Sequence, residues 1–268
     1  MSPDPPIPSK RFGQHFLRDK RTIQRIIEAL APVRDETIIE IGPGTGALTA
    51  QLIERAGRVI AVEFDDKLAP LLNEQFGSFP NFKLVMADAL TTDFCREIEP
   101  AHQARLVANL PYNISTAILQ RLIEQRACLT EMVVMLQREV VERIMAPAGS
   151  SERGFLSVLM EAYCETEKLF DVGPGAFRPP PKVWSSVIRL RFKTGIFSDL
   201  FWDTVSAGFR QKRKTILNNL RQASGHLAEV LKRNGGASIV LCKAGVELKR
   251  RAETLTVEEW GRIVRAME

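Results

Sequence analysis

The sequence predicts an α/β protein: a mostly parallel sheet with helices on both faces, followed by a small all-α C-terminal domain. Three observations predict this fold. Short apolar segments alternate with amphipathic ones over the first two thirds of the chain, a glycine-rich segment follows the first apolar run, and the pattern becomes helical from about Gly195 onward. Such alternation is typical of βαβ units. We therefore predict a disordered tail at residues 1–10, the α/β domain at 11–194 and the helical domain at 195–268.

Each element follows from the local pattern. Strands are predicted at Thr37–Ile41, Arg58–Glu63, Phe82–Met86, Arg105–Ala108, Met132–Leu136, Glu167–Asp171 and Ser186–Phe192. Helices are predicted at Thr22–Leu30, Leu48–Arg55, Lys67–Phe76, Thr116–Arg126 and Glu139–Met145, and a loop at 149–154. The helical region is divided by breaks at Gly225, Gly235-Gly236 and Gly245, and its last helix opens on the capping box of Thr256 and Glu259.

Composition limits the class of protein. A chain of 268 residues with 45% hydrophobic content can bury a sizeable core, and its apolar runs are too short to span a membrane. The four cysteines form no C-x-x-C pair, so we expect reduced, mostly buried thiols, no metal site and a cytoplasmic location.

The charge is distributed unevenly. The chain as a whole has a net charge of only +5, yet residues 178–268 hold 18 basic and 8 acidic side chains. A basic C-terminal third on an acidic body suggests a polyanionic partner, most simply a nucleic acid. A solvated charged surface is the alternative.

A glycine loop, Glu40–Ala47, follows the first long strand. Its glycines allow a tight turn and close approach of a ligand, and Glu63 ends the next strand, where a carboxylate can bind a ribose diol. The spacing alone fits NAD as well as S-adenosylmethionine. Glu40 favours the latter, since an acid here would repel a pyrophosphate, and Asp88-Ala89 offers a carboxylate to an adenine amino group.

A second motif, Asn109-Leu110-Pro111-Tyr112, comes where the strand Arg105–Ala108 ends. It combines an amide side chain, a backbone carbonyl fixed by proline and an aromatic ring. Oxygens that accept the hydrogens of an amine, beside a ring that stacks on its plane, suit a planar amine. This motif therefore points to the group that is modified.

A basic segment, Phe209–Arg221, is interpreted as amphipathic at helical spacing. Phe209, Ile216 and Leu220 are expected to share a buried face. The opposite face would carry phosphate-binding side chains, from Arg210, Arg213, Lys214 and Arg221.

Together with these motifs, Arg11–Leu17, Met135–Val140 and Phe177–Ser186 make the whole chain resemble the ribosomal RNA adenine N6,N6-dimethyltransferase family. One position departs from the family pattern: His15 stands where the family usually has Asn. The resemblance implies a Rossmann-like class I methyltransferase fold and S-adenosylmethionine as cofactor.

The resemblance also implies roles for individual residues. The cofactor pocket is expected to contain His15, Leu17, Glu40, Gly42, Gly44, Glu63, Asp88, Ala89 and Asn109. Catalysis is assigned to Asn109, Leu110, Pro111, Tyr112 and Phe177, with Tyr112 and Phe177 stacking on the base. RNA contacts are assigned to Arg178, Lys182, Arg210, Arg213, Lys214 and Arg221.

The implied reaction is dimethylation of N6 of adjacent adenosines in 16S rRNA, within the small ribosomal subunit or its precursor, by a monomeric enzyme. The Phe209–Arg221 segment resembles the signature of the members that act on small-subunit rRNA. The alternatives are a large-subunit (23S) rRNA adenine methyltransferase and a non-catalytic RNA-binding relative. An NAD-linked oxidoreductase is disfavoured, because it leaves three motifs unexplained: Met135–Val140, Phe177–Ser186 and Phe209–Arg221.

Overall fold

A computed structural model describes residues 14–194 and 198–268, so the tail predicted at 1–10 lies outside the described residues. The described residues form two compact units. The first comprises 14–141 and 166–192, and the second comprises 142–165, 193–194 and 198–268. The boundary predicted at residue 194 lies close to residue 192, where the chain leaves the first unit for the last time. The division of the chain nevertheless differs from the prediction, because 142–165 belongs to the helical unit.

The strands are β1 Phe16–Leu17, β2 Thr37–Ile41, β3 Arg58–Glu63, β4 Phe82–Met86, β5 Ala104–Asn109, β6 Leu129–Gln137, β7 Cys164–Val172, β8 Phe177–Arg178 and β9 Ser185–Phe192. Seven of them form one sheet in the order β4-β3-β2-β5-β6-β9-β7, and β1 pairs with β8 in a separate antiparallel pair. Adjacent strands from β4 to β6 are parallel, whereas β9 runs antiparallel to β6. The predicted mostly parallel α/β fold is confirmed.

Chain order reverses on either side of β2, which lies between β3 and β5. Ligands of open α/β sheets bind beyond the carboxyl ends of the strands at such a reversal. The registers Ile41↔Val62 and Ile41↔Ala108 bring the ends of these three strands level with one another. The candidate site therefore lies at this edge of the sheet.

The helices of the first unit are α1 Lys20–Leu30, α2 Thr49–Ile53, α3 Ala69–Phe76, α4 Phe94–Glu97 and α5 Ser115–Glu124. α1 begins at Asp19, whose carboxylate accepts the Thr22 backbone N–H at 2.8 Å. The apolar face of α1 is buried through Ile26, Ile27 and Leu30. The helix thus packs in the core that supports the sheet.

The later helices are α6 Arg138–Ile144, α7 Phe155–Tyr163, α8 Asp199–Phe209, α9 Ile216–Arg221, α10 Gly225–Arg233, α11 Ala237–Lys243 and α12 Val257–Arg265. The predicted capping box of α12 is confirmed, because Thr256 and Glu259 each accept the other's backbone N–H. Gly225, Gly235, Gly236 and Gly245 all have positive φ at the predicted breaks. α7 was not predicted, and it lies within the 142–165 segment.

The basic segment is not one helix. α8 ends at Phe209, residues 210–215 form a turn, and Thr215 caps α9 by accepting the Asn218 N–H. The Asn219 side chain closes the turn by donating to the carbonyls of Gly208 and Gln211. Ile216 and Leu220 are buried as predicted, whereas Phe209 is half-buried and stacks on Trp260. The prediction of a continuous helix was therefore wrong.

The prediction of reduced thiols was also wrong for two of the four cysteines. Cys95 of α4 and Cys128, directly before β6, form a disulfide across 33 residues of sequence. The pair has no short sequence motif because the fold alone brings it together. Cys164 is free and buried, whereas Cys242 is free and exposed.

Within the ranges 14–194 and 198–268, no helix has the length and apolar content needed to cross a membrane.

Candidate active site

A cavity of about 280 Å³ lies in the first unit, where β2, β3, β4 and β5 end. Each strand, or the turn after it, contributes a predicted site residue to its wall: Gly42, Glu63, Asp88 and Asn109. His15, from the segment before α1, and Tyr112 complete the wall on the side of Asn109. Residues far apart in sequence thus meet at one site, as the parallel sheet predicts.

The glycine loop needs its glycines. Gly42, Gly44 and Gly46 all have positive φ, between 58° and 81°, which side chains rarely tolerate. A Cβ at Gly46 would stand 2.3 Å from the Phe76 ring, and one at Gly44 would stand 3.0 Å from the ring of Phe16. Backbone therefore forms this part of the cavity wall and allows a ligand to approach closely.

Glu63, at the end of β3, is a buried carboxylate held by backbone amides. One oxygen accepts the N–H groups of Phe64 and Asp65, each at 2.9 Å, and the other accepts that of Gly44 at 3.3 Å. Burial raises the pKa of this carboxyl, and the three backbone hydrogen bonds oppose the rise. The side chain is thus fixed in one orientation on the cavity wall, as a group that binds a ribose diol must be.

Glu40 is more deeply buried, with 1% of its surface exposed. Its Oε2 accepts the Thr49 hydroxyl at 2.6 Å. The pKa of Glu40 is raised to about 7: burial is the largest cause, the Thr49 hydrogen bond opposes it, and repulsion by Glu63 adds to it. Glu40 lines a second, smaller cavity, which shares Gly42, Gly44 and Asn109 with the first and also contacts Leu17.

Glu40 should therefore make stability depend on pH. The unfolded chain loses this proton near pH 4.5, whereas the folded protein keeps it until about 7. The free energy of unfolding should fall as pH rises between these values and level off above them. Glu40→Gln should remove this part of the fall and exceed wild type in stability by roughly 3 kcal/mol above neutral pH.

Urea unfolding of both proteins at about pH 5 and about pH 8 measures this difference. The difference in the free energy of unfolding between Glu40→Gln and wild type should grow with pH. A difference that stays constant across this range would contradict the pKa assigned to Glu40.

Asp88 and Ala89 lie two and three residues beyond β4 and line the cavity. Asp88 Oδ1 accepts the Leu90 N–H at 2.9 Å. None of the described residues donates a hydrogen bond to Asp88 Oδ2, so this atom can accept a hydrogen from a ligand. Ala89 is buried.

Asn109 ends β5 and is oriented by the backbone before α1. Its Nδ2 donates to the His15 carbonyl at 3.1 Å, and none of the described residues donates to its Oδ1. Leu110 is buried, and its N–H donates to Met135 of β6. The amide is thus held so that a single acceptor oxygen remains for a ligand.

Tyr112 is anchored at both its hydroxyl and its ring. The hydroxyl lies 2.6 Å from Ser185 Oγ, and the ring stacks on His15 with centroids 5.5 Å apart. His15 Nδ1 lies 2.7 Å from the Pro179 carbonyl, which can only accept, so this nitrogen carries the proton. Burial raises the pKa of Tyr112, which keeps the phenol neutral. His15 therefore contributes through its ring, which stacks on Tyr112, as well as through its backbone carbonyl, which accepts from Asn109.

Phe177 does not line the cavity, contrary to the prediction that it is accessible to a base. It pairs with Leu17 in the β1–β8 ladder, and its ring packs in the hydrophobic core of the first unit. Its neighbours Arg178, Pro179 and Pro180 are exposed. Alternation along the short strand turns Phe177 inward, and a polar sequence context cannot reveal this.

Several further residues line the cavity and were not predicted, among them Gln14, Phe64 and Asp65. Gln14 Nε2 donates to Asp65 Oδ2 at 2.9 Å, which joins the segment before α1 to the end of β3. Phe64 keeps 57% of its surface exposed. An aromatic residue directly after Glu63, the acid predicted to bind ribose, was the available sequence signal.

The predicted RNA-contacting residues are all exposed. Arg178 and Lys182 lie in the first unit, and the other four lie in the second: Arg210, Arg213, Lys214 and Arg221. Arg210 donates to the Gln222 carbonyl at 3.1 Å. The turn 210–215 presents its cations on one short segment, although it is not helical.

The fold and the row of acids at the carboxyl ends of β2, β3 and β4 define a class I methyltransferase that depends on S-adenosylmethionine. A family model described as "Ribosomal RNA adenine dimethylase" matches residues 8–265. The chain belongs to this family, and the resemblance stated from the sequence is confirmed.

Individual relatives agree with the family assignment. "Ribosomal RNA small subunit methyltransferase A" of Hahella chejuensis is 44% identical over 218 residues, which cover 80% of each chain. A dimethyladenosine transferase from Plasmodium falciparum has a similar structure, with a TM-score of 0.77 and 25% identity over 93% of this chain and 96% of that one. The 23S rRNA methyltransferase ErmE is also similar, with a TM-score of 0.66 and 28% identity over 94% and 99%.

Proposed function

We propose that this enzyme dimethylates N6 of adjacent adenosines in the 16S rRNA of the small ribosomal subunit. The observation that carries the proposal is the Asn109 amide, whose Nδ2 donates to the His15 carbonyl while its Oδ1 accepts no hydrogen bond from the described residues and can accept one from an amine. The name of the Hahella chejuensis relative supports the small subunit as substrate. The similarity to ErmE keeps 23S rRNA as the alternative.

The residues of the cavity fit S-adenosylmethionine. Glu63 would bind the ribose hydroxyls, Asp88 Oδ2 the adenine amino group and Glu40 the cationic amino acid end. When bound, this cofactor supplies a methyl group on a positively charged sulfur, which is an excellent leaving group. No strong base is needed, so the protein's task is positioning.

Asn109 and Leu110 provide that positioning. An exocyclic amine is a poor nucleophile because its lone pair is delocalised into the ring. Asn109 Oδ1 and the Leu110 carbonyl accept the two N6 hydrogens, draw the nitrogen out of the ring plane and direct its lone pair into the cavity. Tyr112 stacks on the base, and its hydrogen bond to Ser185 and its stacking on His15 fix the ring in place.

Methylation of isolated small and large ribosomal subunits in parallel tests the substrate. With labelled S-adenosylmethionine, unmethylated small subunits should become labelled and large subunits should not. Label in large subunits alone would favour the alternative. Failure to bind S-adenosylmethionine at all would favour the non-catalytic RNA-binding relative.

The exposed turn 210–215 should bind rRNA phosphates. Charge reversal at Arg210, Arg213 and Lys214 should weaken RNA binding and flatten its dependence on salt, because each lost phosphate contact lowers the number of released counterions. The measurement is the dissociation constant across a salt series. Reversal of the exposed Lys232 and Arg233, at the end of α10, is the matched control. An unchanged salt slope would count against this surface.

We also propose a cellular location and an oligomeric state. A substrate in the small ribosomal subunit or its precursor places the enzyme in the cytoplasm. We propose that it acts as a monomer, which sedimentation of the purified protein tests.

A further inference from the structure

One exposed aromatic residue near the cavity has no role in the function proposed so far. Trp184 keeps 49% of its surface exposed, whereas Trp260 is fully buried and Trp202 is half-buried. A tryptophan usually buries most of its large apolar surface. Val183, directly before it, is also exposed. Exposing this apolar surface to water is unfavourable, and a binding partner that covered it would remove the unfavourable contact.

The loop 179–185, which carries Trp184, is hydrogen-bonded at both ends to residues that line the cavity. At one end, the Pro179 carbonyl accepts from His15 Nδ1. At the other, Ser185 Oγ lies 2.6 Å from the Tyr112 hydroxyl, and Ser185 follows Trp184 directly. His15 and Tyr112 both line the cavity. Trp184 is thus one residue away from the group that holds the catalytic tyrosine.

The indole ring packs against the backbone at Gly173. Its six-membered ring lies over Gly173, where an added Cβ would stand 3.6 Å away. The Trp184 carbonyl accepts the Arg138 N–H at 2.9 Å, next to the last pair of the β6–β9 ladder. The ring is therefore held in place while half of its surface remains accessible.

The surroundings of the ring are basic. Arg178 and Lys182 lie on the same loop and Arg138 lies beside it, and all three are exposed. An exposed aromatic ring beside exposed cations is typical of surfaces that stack unpaired bases and bind their phosphates.

We infer that Trp184 stacks on an unpaired nucleotide that neighbours the target adenosine, while Lys182 and Arg178 bind the adjoining phosphates. The inference rests on the proposed function and extends it from the methylated base to the base beside it. An adenosine taken out of its stack leaves a neighbour whose face is free. Trp184 offers that neighbour a surface next to the catalytic tyrosine.

Two variants test the inference: Trp184→Ala, which removes the ring, and Trp184→Phe, which keeps a stacking surface. With unmethylated small subunits, Trp184→Ala should raise KM roughly tenfold, the effect of losing one base–aromatic stack, and leave kcat within about twofold. Trp184→Phe should restore most of the affinity. Phe79→Ala, which removes an equally exposed aromatic residue before β4, should leave KM unchanged.

Fluorescence provides a readout that does not depend on activity. A short oligoadenylate should quench wild-type tryptophan emission, and Trp184→Phe should lose most of this quenching, because Trp260 is fully buried and Trp202 is half-buried. A KM for Trp184→Ala equal to that of wild type would overturn the inference. So would an effect on small subunits without any effect on oligoadenylate binding, which would indicate a protein partner. Absence of methylation by wild type would instead refute the proposed function.

Discussion

Asn109→Ala is expected to lower the turnover of small-subunit methylation by about a hundredfold or more, the usual effect of removing a group that orients the reacting atoms. The variant loses the oxygen that accepts an N6 hydrogen. It also loses the hydrogen bond from Nδ2 to the His15 carbonyl. Asn109 is only partly buried, so the fold should persist. Single-turnover methylation, with a thermal unfolding curve of the same sample, provides the measurement.

Asn73→Ala is the matched control, since it makes the same change at an exposed position of α3 and should retain full turnover. Asn109 is assigned both to the cofactor pocket and to positioning of the substrate amine. Measuring how Asn109→Ala binds S-adenosylmethionine separates these two roles. Retention of more than about a tenth of wild-type turnover by a folded Asn109→Ala would refute the role assigned to this side chain.

Glu63→Ala should weaken S-adenosylmethionine binding by about a hundredfold, because hydrogen bonds to a charged group contribute roughly 1.5–3 kcal/mol each. It also leaves the Gly44, Phe64 and Asp65 amides without their acceptor. Glu63→Gln keeps one oxygen and the shape of the side chain, so it should lose less affinity. Calorimetric titration with S-adenosylmethionine measures both variants without RNA.

Glu74→Ala provides the control for Glu63, because Glu74 is an exposed glutamate of α3 outside the cavity. Its affinity for S-adenosylmethionine should equal that of wild type. If Glu63→Ala also bound with wild-type affinity, the cofactor would have to lie elsewhere.

The sheet and the cofactor side of the site were largely predictable from sequence. Strands Thr37–Ile41, Arg58–Glu63 and Phe82–Met86 have the predicted bounds, since each is a short run rich in apolar residues that ends at a turn. Parallel strands bring their carboxyl ends to one edge, so the order of the chain was enough to place Glu63 and Asn109 on one cavity.

Features set by tertiary packing were not predictable. α7, Phe155–Tyr163, is buried on nearly all sides, so it lacks the polar face that makes a helix visible in sequence. Phe177 faces inward because of its pairing with Leu17. The Cys95–Cys128 bond joins residues that only the fold brings together. In each case the deciding contact is distant in sequence.

The nucleoside product is the most direct test of the central claim, that the site around Asn109 transfers two methyl groups to N6 of adenosine. Unmethylated small subunits are treated with the enzyme and S-adenosylmethionine, and their rRNA is digested and examined by mass spectrometry. We expect N6,N6-dimethyladenosine at adjacent positions of 16S rRNA, absent after treatment with Asn109→Ala. Monomethyladenosine as the sole product, or methylation of a different base, would contradict it.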